Sequence, residues 1–74
     1  MAKEVQRLKI KEPIVVNEIT IQVYGGDVNT EIVKYSDGKI AVIYTSKETG
    51  QKMTGIISST DEKIIWQKAQ QQQG

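Results

Sequence analysis

The side chains that most often perform chemistry are few in this sequence. Histidine and cysteine are both absent. That removes the usual near-neutral proton shuttle and the commonest metal ligand. It also removes thiolate metal sites, iron–sulfur clusters and disulfides. The aspartates are Asp27, Asp37 and Asp61, and each falls in a turn-like stretch where Asp bonds its own backbone. Acid/base work needs two carboxylates converging in a pocket, and a chain of 74 residues leaves little room for one. Gly25-Gly26-Asp27-Val28-Asn29 has the glycines of a phosphate or calcium loop. It lacks the Lys-Ser/Thr of the first and the repeated acidic ligands of the second, so a turn between strands explains it more simply. The expectation is a protein that is not an enzyme and carries no cofactor and no metal.

The basic residues Lys3, Arg7, Lys9 and Lys11 suggest a second kind of chemistry. On one face of a strand they could track a phosphate backbone, as small barrels do. The competing reading is that lysines on an edge strand discourage edge-to-edge aggregation. Aromatic stacking platforms are scarce, with Tyr24, Tyr35, Tyr44 and Trp66 the full set, and the net charge is only +1. A domain built for phosphate backbones is usually far more basic. The guarding role is therefore preferred, with nucleic-acid binding as the alternative.

The elements that position these residues read as β. Val, Ile, Thr and Tyr dominate, whereas Leu8 is the sole leucine and Ala2, Ala41 and Ala69 are the only alanines. That balance favours strands. Turn signals recur at Glu12-Pro13, Gly25-Gly26-Asp27, Ser36-Asp37-Gly38, Glu48-Thr49-Gly50 and Ser58-Ser59-Thr60-Asp61. Short strands so punctuated predict an all-β antiparallel meander of five to six strands, curled into a small barrel or half-open roll. Residues 1–69 are expected to form a single β domain, with 70–74 a disordered, Gln-rich polar tail.

A two-residue Asp37-Gly38 loop of type I′ would set Tyr35 against Ile40, Val33 against Val42 and Glu31 against Tyr44. A second loop at Lys47-Glu48-Thr49-Gly50 would set Tyr44 against Met53, Val42 against Gly55 and Ile40 against Ile57. The core face then carries Val33, Tyr35, Ile40, Val42, Tyr44, Met53 and Ile57. The opposite face carries Ile32, Ala41, Ile43 and Ile56, so Ile40 to Tyr44 is apolar on both sides, as in a doubly covered strand. Upstream, Ile19, Ile21 and Val23 alternate inward. Leu8 and Ile10 share one face of an edge strand limited by Pro13.

After Ser58 two structures compete. Ser59-Thr60-Asp61-Glu62 fits a helix-opening capping box. Ile64-Ile65-Trp66 is β-branched and aromatic, which tips the expectation slightly toward a last strand, with a short C-terminal helix the other outcome. Trp66 is expected to close the core; exposed beside Ile64 and Ile65, it would instead anchor a partner.

The stretch Asp37-Gly38-Lys39-Ile40-Ala41-Val42, followed by Glu48-Thr49-Gly50-Gln51, resembles the hairpin of FlaG-type flagellar proteins. That resemblance implies strand, Glu-Thr-Gly turn, strand and then helix. The Ile-Pro pair that precedes the helix in that family is replaced here by Ile56-Ile57-Ser58-Ser59, so the likeness is confined to the hairpin.

A chain this short buries only about 60% of its unfolded surface and commonly needs a staple. With disulfides and the commonest metal ligands absent, good packing and oligomerisation are the staples left. The functional expectation is a non-enzymatic interaction or structural module, self-associating or part of a larger assembly. Its partner would be a protein or a second copy, and the candidate surface is Ile32, Ala41, Ile43, Ile56 and Trp66. A charged N-terminus and the lack of a long apolar run point to no membrane contact and to a cytoplasmic location.

Overall fold

The computed structural model describes residues 2–57 and 61–72. Six strands precede one helix: β1 (Glu4–Lys9), β2 (Ile14–Val16), β3 (Ile19–Ile21), β4 (Val28–Tyr35), β5 (Ile40–Ser46), β6 (Lys52–Ile57) and α1 (Glu62–Gln71). The four-stranded antiparallel sheet has the order β1-β4-β5-β6, and β2 and β3 form a separate two-stranded sheet. Neither closes on itself, so the molecule is a mostly β half-open roll with a short C-terminal helix. It is not a continuous meander. The chain leaves β1, makes the β2–β3 hairpin over the core, and returns as β4 beside β1.

That hairpin turns at Asn17-Glu18, where Asn17 takes φ +52°; Asn tolerates this left-handed conformation better than most residues. It pairs Val16 with Ile19 and Ile14 with Ile21. Its buried side chains Ile14, Val16 and Ile21 join Ile10, Ile32, Ile40 and Val42 of the large sheet and Ile65, Trp66 and Ala69 of the helix in one core. The hairpin and the helix therefore cover the same face of the sheet.

The β4–β5 register differs by one residue from the expected one. Tyr35 N donates to Lys39 O at 2.9 Å and Gly38 N to Tyr35 O at 3.0 Å, so the loop is Ser36-Asp37-Gly38. Asp37 Oδ1 accepts from Lys39 N at 3.0 Å, and Gly38 alone in the loop has positive φ, at +93°. A type I′ turn would force Asp37 to positive φ as well. A three-residue turn places the strain on glycine only. Ile32 thus pairs with Val42 and Lys34 with Ile40. A slip of one residue exchanges the faces of a strand, so Ile32 turns inward and Val33 and Tyr35 turn outward. The β5–β6 register is as expected, with Tyr44 against Met53, Val42 against Gly55 and Ile40 against Ile57.

Residues 62–71 are helical, against the slight preference for a strand. Ile65, Trp66 and Ala69 are buried, positions that share a face at 3.6 residues per turn but not at two. Burying that stripe outweighs the β preference of two isoleucines, and Gln, Lys and Ala that follow are good helix formers. The expected Ser59 cap lies outside the described residues. Asn17 Nδ2 donates to Asp61 Oδ1 at 3.0 Å, tying the hairpin loop to the start of the helix.

Gln70 and Gln71 continue the helix, beyond the boundary expected at 69. Gln72 Oε1 accepts from Lys11 N and Glu12 N at 2.8 and 3.1 Å, and its Nε2 donates to Glu12 O at 2.9 Å. The glutamine thus serves the bend before Pro13, which has no ladder partners of its own.

Thr30 lies on the core face at 1% exposure, and its Oγ1 has no hydrogen-bond partner among the described residues. An unsatisfied buried hydroxyl costs about 1–3 kcal/mol. Thr30→Val is expected to raise stability by about 1 kcal/mol, read from the urea midpoint. A loss of stability would show that the hydroxyl is satisfied in solution.

Candidate functional site

Cross-strand rows define what each face of the sheet presents. On the outer face one row runs Arg7, Val33, Ala41, Ile56, and the next runs Lys9, Glu31, Ile43, Thr54. Val33 and Ala41 are 0% exposed although neither the helix nor the hairpin lies on that side. The apolar second face of β5, Ala41 and Ile43, is thus buried rather than presented to solvent.

The five candidate surface residues do not form one surface. Ile32 is 0% exposed in the core, because the register slip turned it inward. Trp66 is buried under the roll, with Lys34 Nζ 5.9 Å from its ring. Ala41 and Ile43 share the outer face but are buried, and Ile56 alone of the five is widely exposed, at 62%. Met53, expected in the core, is exposed to 69%; the helix and hairpin do not reach over β6.

The basic residues are likewise separated. A register shift between Glu4 and Gln6 makes Val5 a bulge, which brings Glu4 to the same face as Arg7. Arg7 Nη2 donates to Glu4 Oε1 at 2.7 Å and Arg7 Nη1 to Glu31 Oε1 at 3.1 Å. The hydrogen bond from Arg7 holds the Glu4 carboxyl below the usual carboxylate range. Two carboxylates flank the guanidinium, so the electrostatics here are not those of a phosphate track. Lys9 stands opposite Glu31. Lys3 and Lys11 lie beyond the strand ends; Lys3 is held by its main chain, its N donating to Ser36 Oγ at 3.0 Å and its O accepting from Ser36 N at 2.8 Å.

The two outer edges of the large sheet are built differently. The β1 edge has the Val5 bulge, Arg7 and Lys9, all devices that resist strand pairing. The β6 edge has neither bulge nor proline, and its one charge is Lys52. Ser46 N donates to Gln51 O at 2.9 Å, which fixes the alternation along the ladder. Met53, Gly55 and Ile57 turn their main-chain groups toward β5. Those of Lys52, Thr54 and Ile56 point away from the sheet.

A groove of about 300 Å3 runs beside this edge on the core side, lined by Tyr24, Val28, Tyr44 and Met53 among others. Tyr24 is 68% exposed and meets Tyr44 edge to face at 5.4 Å between ring centroids. Tyr44 is fixed from beneath, its hydroxyl donating to Gln22 O at 2.9 Å. Its burial, chiefly, raises the phenol above its ordinary pKa. Tyr24, Met53 and Ile56 therefore flank the β6 edge with exposed apolar side chains on both faces.

Alternation along β6 places Met53 in the core, whereas the structure leaves it exposed. The signal was present in Gly55: a glycine in mid-strand leaves little for a covering layer to pack on. Among the described residues no group of three or more acidic, histidine or cysteine side chains is placed to hold a metal ion. No helix among them is long and apolar enough to cross a membrane. Comparison with known proteins found no matching family model, no matching curated protein and no matching solved structure.

Proposed function

We propose that the protein is a non-enzymatic interaction module that takes up another polypeptide as an added strand on the β6 edge. The single observation that carries this reading is the inequality of the two sheet edges. One is obstructed by a bulge and an ion-pair clamp. The other offers outward ladder groups at Lys52, Thr54 and Ile56 between exposed Met53 and Ile56. In strand addition, main-chain hydrogen bonds supply affinity and alternate side-chain pockets supply selectivity. The Tyr24–Tyr44 groove supplies such a pocket for the added strand.

A basic-strand reading has less support, because Arg7 is paired with both Glu4 and Glu31. The partner is a protein, either a second copy or a subunit of a larger assembly.

The test is a titration of the isotope-labelled chain with a peptide of the β6 sequence, Lys-Met-Thr-Gly-Ile-Ile. Amide shifts are expected at Lys52, Thr54 and Ile56, with Thr54→Pro abolishing them. Thr54 N–H is not used within the sheet, so proline there removes an outward donor without breaking a β5–β6 bond. Shifts confined to other regions, or unaffected by Thr54→Pro, would overturn the reading.

A further inference from the structure

We infer that the occupant of the β6 edge is β6 of a second copy, paired antiparallel about a two-fold axis at Thr54. This rests on the strand-addition reading above and names its partner. The strand is self-complementary in this register. Thr54 faces the partner's Thr54, and Lys52 faces the partner's Ile56, each pair exchanging both main-chain bonds through the outward groups. Between them Met53 faces the partner's Gly55. Nothing lies within 4 Å of the position a Cβ would take on Gly55, so the exposed Met53 side chain has an open site to cover.

Competing registers are poorer. Pairing centred on Gly55 stacks the two glycines and leaves a gap. Pairing centred on Met53 opposes two long side chains in the closer, non-hydrogen-bonded geometry. The Thr54 register also keeps the two Lys52 ammonium groups at opposite ends of the paired segment, about 13 Å apart along the strand. A single strand edge buries less than the roughly 1,600 Å2 of a standard interface, so the dimer is a reversible one whose population rises with concentration.

Sedimentation equilibrium and cysteine cross-linking test this together, the chain having no native cysteine to confuse the result. The mass is expected to rise from one chain toward two as concentration crosses the dissociation constant. Thr54→Lys, which sets like charges face to face, is expected to weaken the dimer about tenfold or more. Under oxidation Thr54→Cys should give a covalent dimer, because its pair lies about 5.5 Å apart at Cα, inside the roughly 4.4–6.8 Å disulfide window. Met53→Cys should react far less, its symmetry mate lying about 7–8 Å away on the diagonal.

A mass of one chain throughout, with the β6 peptide still bound, would overturn self-pairing and leave the strand-addition reading standing. A mass of one chain without peptide binding would overturn both. A dimer in which Met53→Cys or the remote Val15→Cys cross-links better than Thr54→Cys would overturn the register.

Discussion

Trp66→Ala is expected to remove about 4 kcal/mol of stability, most of what a domain of this size possesses. Trp66 is 6% exposed and sits in the core with Ile65 and Ala69, which are both 0% exposed. Truncating it leaves a cavity that the sheet, held by its own ladder, cannot collapse to fill. The helix carries its own control. Ile64 is 43% exposed, so Ile64→Ala is expected to cost less than about 1 kcal/mol. A terminal strand would place Ile64 and Trp66 on one face and Ile65 on the other. Urea denaturation of the single alanine variants separates the two structures. Large losses at Ile65 and Trp66 with a small one at Ile64 mark the helix, whereas matching losses at Ile64 and Trp66 would mark a strand.

Ile32→Ala is the second large effect, expected at about 3 kcal/mol. Ile32 stands between Leu8 and Val42 in the cross-strand row at the centre of the core. Tyr35, on the opposite face near the end of β4, is only partly buried, and Tyr35→Ala should cost about 1 kcal/mol. With a two-residue Asp37-Gly38 loop the order would reverse, Tyr35 packing inside and Ile32 facing solvent. A larger loss at Tyr35 than at Ile32 would therefore refute the three-residue turn.

These two residues also mark the limit of what the residues alone disclose. The Asp37-Gly38 pair announced a hairpin correctly. Its loop length was not legible, because Asp-Gly serves both a type I′ turn and a type I turn closed by a left-handed glycine. That one-residue ambiguity moved Ile32, Val33 and Tyr35 to the wrong faces and split the candidate surface. The Lys47–Gly50 loop leaves no such choice, and the β5–β6 register is the one its length predicts.

Trp66 shows a second limit. Its neighbours carry β preference, and only the packing of Ile65, Trp66 and Ala69 against a distant hairpin decides for the helix. The β2 strand, Ile14–Val16, is three residues long, and Asn17-Glu18 is a less distinctive turn than Asp-Gly.

The edge character of the N-terminal strand was legible from Lys9 and Pro13. The clamp on Arg7 was not, because the Val5 bulge brings Glu4 to the same face, a residue that simple alternation places on the other. The openness of β6 was hidden for a similar reason. Met53 alternates as a core residue should, and only the placement of the covering layer leaves it bare.

Amide hydrogen exchange along β6 reports directly on whether that edge is open. In dilute solution the amides of Met53, Gly55 and Ile57, bonded to β5, should be protected, and those of Lys52, Thr54 and Ile56 should exchange rapidly. Addition of the β6 peptide should slow that second set selectively. Protection of both sets in dilute solution, or no change in Lys52, Thr54 and Ile56 at saturating peptide, would contradict an open edge that receives a strand.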